Sequence, residues 1–320
     1  MLLYILRRLN LFLITLVLLT FIGYSLIRLD PSVPLSSAPF FTGWLSYLID
    51  IYNLDFGTDK HGIPIIQQLS RVFPATLELC IIAFCIALII GLPFGTIAGM
   101  KRGKSTDTFI SLVSVIGYST PIFWIALLLI YLFSLHWQIL PVSGRYALLY
   151  EIPPITGFAV IDVFLSEHEY KNDILNSILS HLILPSLVLA MVPTTQVISL
   201  MRTAVVDVME QNYIRVAKIR GLSAFDIVFQ HVLRNALPPI IPKLGVQFST
   251  MLTLVIVTES VFDWPGVGRW LLDALAKQDY VAIQAGVLVV AGLVLTVNIL
   301  SELLGVLTSP LLRKEWYVDK

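Results

Sequence analysis

Six apolar runs, each about as long as a bilayer is thick, constrain this chain more than any other feature. They are Leu9 to Ile27, Pro74 to Met100, Phe109 to Leu135, Leu182 to Leu200, Leu237 to Val261 and Ala282 to Leu307. A helix needs about 20 apolar residues to cross a hydrocarbon core, and within lipid it satisfies its backbone hydrogen bonds inside one segment. The runs predict an all-α integral membrane protein with six transmembrane helices. Composition excludes the soluble alternative: charged residues make up 13% of the 320 positions, against roughly 25% in soluble domains. The first run exceeds the roughly 7–15 apolar residues of a cleavable signal, and no small-x-small site follows it closely. It is read as a span.

Lys and Arg stay on the cytoplasmic side of short loops, so their placement orients the spans. Fourteen of the 21 basic residues fall on one side: Arg7, Arg8, Lys101, Arg102, Lys104, Arg202, five between Arg215 and Lys243, and Arg313, Lys314 and Lys320. Both termini are therefore expected in the cytoplasm. The zero net charge hides this asymmetry, and topology accounts for the basic residues without nucleic acid. Cys80 and Cys85 lie on one span as packed or lipid-facing residues. The five histidines show no metal-ligand spacing, so no metal site is expected.

Between the fourth and fifth runs lies a basic, helix-compatible segment, Tyr213 to Pro239. A short helix from Tyr213 is expected to stop at Gly221, since glycine takes the left-handed conformation without a Cβ penalty. Ser223 with Asp226 three residues on fits a capping box and starts a second helix. Arg234, Asn235 and the pair Pro238-Pro239 would close it and open the next span.

Ala217, Gly221 and the stretch His231-Val-Leu-Arg-Asn-Ala236 resemble the cytoplasmic "EAA" loop of ATP-binding-cassette (ABC) importer permeases, in the oligopeptide and dipeptide branch. Arg215 and Arg234 depart from the general pattern, which has glutamate and proline there; the peptide branch commonly carries such changes. Leu54-Asp-Phe-Gly57, Phe73-Pro-Ala-Thr-Leu-Glu-Leu79, Ser119-Thr-Pro-Ile-Phe-Trp124, Leu140-Pro-Val-Ser-Gly144 and Glu259 to Gly268 are similar to the same branch. A long acidic second external segment and the ending Arg313-Lys-Glu-Trp-Tyr317 resemble, more narrowly, the first permease subunit of Sap-type peptide importers.

The resemblance implies an ABC importer permease fold in the bacterial inner membrane, and no enzyme. It implies a second homologous permease subunit, two cytoplasmic ATPase subunits and a periplasmic solute-binding protein as partners, besides the bilayer, with ATP and Mg on the ATPases and no cofactor on this chain. The coupling loop, residues 202–238, would dock on an ATPase through Arg215, Ala217, Gly221, Leu222, Phe225, His231, Arg234 and Asn235. The chain divides into a first transmembrane helix at 1–30, a periplasmic segment at 31–73, a five-helix core at 74–312 with a periplasmic insert at 136–180, and a cytoplasmic tail at 313–320. An amphipathic helix from Ile63 to Val72 is expected to lie on the membrane surface.

Other motifs are weighed on their own residues. Ala98 to Ser105 satisfies a relaxed phosphate-loop pattern, but such a loop follows a strand, whereas this one sits between two spans; a basic turn is expected and ATP hydrolysis is assigned elsewhere. Gly91, Gly95 and Gly99 put a glycine stripe on one face of the second span, where small residues let helices approach closely. Glu78, Glu259 and Glu302 are costly at membrane depth and become pathway candidates; alternatively water reaches Glu78 and Glu259 at the external ends, and Glu302 bonds neighbouring helices. Gln247, Thr250 and Thr258 form a broad polar face on the fifth span that either lines the pathway or bonds adjacent helices.

A secondary transporter driven by an ion gradient would show internal pseudo-repeats, and none is visible. Peptides, including cationic antimicrobial ones, are the expected substrate. Nickel or a polyamine such as putrescine is the alternative within the family.

Overall fold

The computed structural model describes residues 2–30, 33, 37–167 and 169–308. The tail 313–320, Pro31, Pro34 and His168 lie outside them. Among the described residues the regular structure is helical, apart from one isolated bridge between Thr58 and Pro64. In chain order the first helices are α1 (Leu2–Ile27), α2 (Phe40–Tyr52), α3 (Ile65–Met100), α4 (Ser105–Ser119) and α5 (Ile122–Leu129), with α5 continued by a π-helical turn, Ile130–His136. Then come α6 (Ala159–Leu165), α7 (Lys171–Met209), α8 (Asn212–Ile219), α9 (Ala224–Asp226), a π segment Ile227–Val232, and α10 (Leu233–Ala236). A 3-10 turn at Pro238–Ile240 leads into α11 (Ile241–Val261), followed by α12 (Val267–Ala276) and α13 (Tyr280–Thr308).

Among the described residues, five helices are long and apolar enough to cross a membrane: α1, α3, α7, the stretch Ala224–Val261, and α13. The run expected as one span from Phe109 to Leu135 is instead two helices, α4 and α5 with its π turn, meeting at 98°. The cause is local. Pro121 pushes the residue before it out of the helical region, and Thr120 sits at φ −85°, ψ 130°. Six crossings result only if this bent pair counts as one.

The stretch Ile63 to Val72 is not a separate surface helix. Ile65 and Leu69 lie in the first turns of α3 and are buried against Ala274 of α12 and Ala282, Ala285 and Leu288 of α13. The Trp270 indole donates to Gln68 Oε1 at 2.8 Å. Its apolar stripe therefore meets protein, and α3 runs 36 residues through both Pro74 and Pro93, placing the start of the core at Ile65 and not at Pro74. The helix α2 was not foreseen in the sequence; it packs through Tyr47 against Tyr24 of α1.

The central pair is α3 against α7. A Cβ on Gly91 would lie 2.6 Å from Val197, on Gly95 2.7 Å from the Ile198 carbonyl oxygen, and on Gly99 2.7 Å from Val205. Each glycine faces α7 at a separation no side chain fits. Gly245 meets Ser301 and Gly305 meets Pro242 in the same way between α11 and α13. Residues 101–104 form the turn joining α3 to α4, so the phosphate-loop pattern stands between two helices.

Candidate functional site

Helix α8 is amphipathic and ends as its sequence dictates. Gly221 has φ +79°, its N–H donates to the Lys218 carbonyl at 3.0 Å, and the Leu222 N–H donates to the Ala217 carbonyl at 3.2 Å. These two bonds are a Schellman motif, which needs the left-handed residue at its corner. A Cβ at Gly221 would meet nothing within 4 Å, so only the backbone conformation demands glycine within this chain. Ser223 then caps α9, its Oγ accepting from the Asp226 N–H at 3.1 Å. The helix that follows does not close at Arg234 and Asn235. It continues through the π segment and the 3-10 turn at Pro238 into α11, making one stretch, Ala224–Val261; the first turn of a helix tolerates proline because its N–H has no partner there.

One face of this segment is buried and the other is open. Ile214, Ala217, Ile227, Val232, Ala236 and Ile240 pack on Met201, Val205 and Val208 at the end of α7. Outward stand Ile219 at 85% exposed, Phe225 at 68% and Phe229 at 55%, the two phenyl rings 4.3 Å apart. Arg215, Leu222, Arg234 and Asn235 are exposed as well, and His231 is half-buried beside Tyr213. Apolar side chains thus cluster outward within a rim of charge, a pattern that protein contact surfaces share.

At the opposite end the polar groups are turned inward. Glu78 and Glu259 are buried, at 5% and 0% exposed, rather than open to water. Glu78 accepts from Arg145 Nε at 3.0 Å and from the Val160 N–H at 3.0 Å, and Arg145 also donates to the Gly157 carbonyl at 2.8 Å. Glu259 accepts from the Thr76 hydroxyl at 2.6 Å and the Arg269 N–H at 3.1 Å. Gly266 packs so close to that carboxylate that a Cβ would lie 2.0 Å from it. These contacts pin the insert and α12 to α3 and α11. A family model described as a binding-protein-dependent transport system inner membrane component matches residues 91–314.

The chain belongs to this family of permeases.

It is 51% identical over 318 residues, 99% of both chains, to the peptide transport system permease protein SapB of Salmonella typhimurium strain LT2. It is equally similar, 51% over 99% of both chains, to the putrescine export system permease protein SapB of Escherichia coli strain K12. Among solved structures, inward-facing MetNI methionine ABC transporter matches with a TM-score of 0.57 over 76% of this chain and 97% of that one, at 13% identity, which shows a common fold. The protein is thus a multi-pass component of the bacterial inner membrane, from a family of permeases that work with ATPase and binding-protein partners.

Within this permease the remaining polar candidates do not share one surface. Thr258 is buried inside the chain, Thr250 is exposed and Gln247 is half-buried. Glu302 on α13 pairs with Arg8 of α1, Nε to Oε2 at 2.9 Å. Two features were missed in the sequence. Ser249 donates to Asn298 at 3.0 Å between α11 and α13, and Arg202 of α7 holds Asp107 of α4 through Nε at 2.6 Å and a second guanidinium nitrogen at 2.8 Å. No local pattern signals the latter pair, because its partners lie 95 positions apart. Asp107 also accepts from the Gly103 N–H at 2.9 Å, so the turn that mimics a phosphate loop has its backbone donor engaged by the chain's own carboxylate.

Proposed function

We propose that this chain is the peptide-translocating permease subunit of an ABC importer, paired with a second, homologous permease, two cytoplasmic ATPases and a periplasmic solute-binding protein. The observation that carries this reading is the open apolar face of α8 and α9, continuous through α10 with the membrane helix α11. An ATPase docked there pushes on α9, which runs without an intervening loop into α11. ATP and Mg belong to the ATPases; this chain performs no hydrolysis. Both termini and residues 202–238 face the cytoplasm, and the insert 136–180 faces the periplasm. Gln247, Thr250, Thr258, Glu259, Glu78 and Glu302 were the sequence's candidates for the pathway; the burial of Thr258 and Glu259 and the pairing of Glu78 and Glu302 favour structural roles for these four.

Peptide is favoured as substrate by the name of the Salmonella relative and by the engagement of the carboxylates on the spans, which leaves a polycation little to hold. Putrescine is the second reading, favoured by the name of the Escherichia coli relative. The complete complex reconstituted with its binding protein decides between them: ATP-dependent movement of a labelled tripeptide is the expected result. Movement of putrescine without any tripeptide would replace the substrate, and movement of either without ATP would remove the class.

A further inference from the structure

A groove of about 270 Å³ runs between α4 and α7; among the apolar groups of Val115 and Ile198 it presents Ser111, Ser114, Tyr118, Thr195, Gln196 and Ser199, with Arg202 at the end nearest α8. Tyr118 lies eleven residues beyond Asp107, or about 16 Å along α4 at 1.5 Å per residue, so the polar lining reaches well into the membrane. Some of it needs no partner. The Ser114 hydroxyl donates to the Ile110 carbonyl and the Thr195 hydroxyl to the Val192 carbonyl, both at 2.8 Å. Gln196 is different: its primary amide, with two donors and one acceptor, makes no hydrogen bond among the described residues and is only half-buried. An amide in that state is costly against hydrocarbon, so its face looks onto water or a polar solute.

The polar groups along the groove carry no free charge. Its guanidinium, Arg202, is held by both oxygens of Asp107, and no carboxylate is among its lining residues. We propose that this groove is the chain's share of the translocation path, and that it handles a peptide through neutral hydrogen bonds to the main chain, with Gln196 as the principal contact. Every peptide bond offers one donor and one acceptor, which a primary amide and hydroxyls match whatever the side chains are. A polyamine has no such group and would call for carboxylates. This inference rests on the permease reading and refines its substrate class.

The test uses the full complex with Cys80 and Cys85 replaced. Gln196→Cys and Ser114→Cys should react with a hydrophilic thiol reagent at least tenfold faster than Ile89→Cys, which is 72% exposed on the apolar face of α3, because thiolate forms only in water. Equal rates would overturn the groove as an aqueous path, whatever the substrate proves to be. In transport, Gln196→Leu should lower uptake of trialanine and trilysine alike by at least tenfold while binding-protein-stimulated ATP hydrolysis persists, and Gln196→Glu should shift the ratio toward trilysine. Unchanged uptake by Gln196→Leu would remove the contact. A wild-type complex that carries putrescine and no peptide would refute main-chain recognition, while the labelling rates still report whether the groove is wet.

Discussion

The two ends of this bundle are finished differently. At the end carrying α6 and α12, Glu78, Thr76 and Glu259 are buried and satisfied by half-buried Arg145, by one another and by backbone N–H groups. At the end carrying α8 and α9, buried Ile214 and Ala217 are matched by Phe225, Phe229 and Ile219 left in the open. Polar groups sealed inside need no further partner, whereas apolar groups left outside are in surplus to the chain's own core. One end closes upon itself, and the other is the end proposed to receive a second protein.

The largest effect is expected where the closed end loses a charge. Arg145→Ala would strand Glu78 at 5% exposure, a loss of roughly 3–5 kcal/mol for a buried pair broken on one side. Thermal unfolding of the detergent-purified chain should show a large fall in Tm, with Arg145→Met plus Glu78→Leu recovering much of it. A Tm unchanged in Arg145→Ala would mean that the insert is held by other contacts.

Truncating the open end should do the reverse. Phe225→Ala with Phe229→Ala removes two exposed rings, leaving Tm unchanged while weakening association with the ATPases by about 2 kcal/mol, or roughly thirtyfold, as for aromatic hot spots. Titration of purified ATPase onto the permease measures this; unaltered affinity would place docking elsewhere.

Gly221→Val tests the smaller, conformational part of the same face. A left-handed residue with a Cβ is strained by roughly 1 kcal/mol, and nothing in this chain lies within 4 Å to clash. Membrane insertion should persist and transport should fall sharply. Normal transport by Gly221→Val would detach α8 from coupling.

The least perturbing test asks which end faces which compartment. Ser166, in the insert, is 6% exposed and unsuited to labelling, whereas Leu148 is fully exposed. In intact cells Leu148→Cys should react with an impermeant thiol reagent and Ser105→Cys should not; the opposite pattern would invert the bundle.

The sequence by itself determined what depends on neighbours along the chain. Apolar length made membrane helices of α1, α3, α7 and α13, the left-handed requirement stopped α8 at Gly221, and Ser223 with Asp226 began the next helix, because caps and runs are written within a few residues of each other. The glycine stripe on α3 was legible too, although not its partner. Only the tertiary structure decided what depends on groups far apart: that Ile65 and Leu69 extend α3 by packing on α12 and α13, that Glu78 and Glu259 are sealed by Arg145 and Thr76, and that Arg202 neutralises Asp107. A buried carboxylate and a water-exposed one look alike in sequence, since the choice rests on a partner brought from 67 positions away for Glu78 and 183 for Glu259.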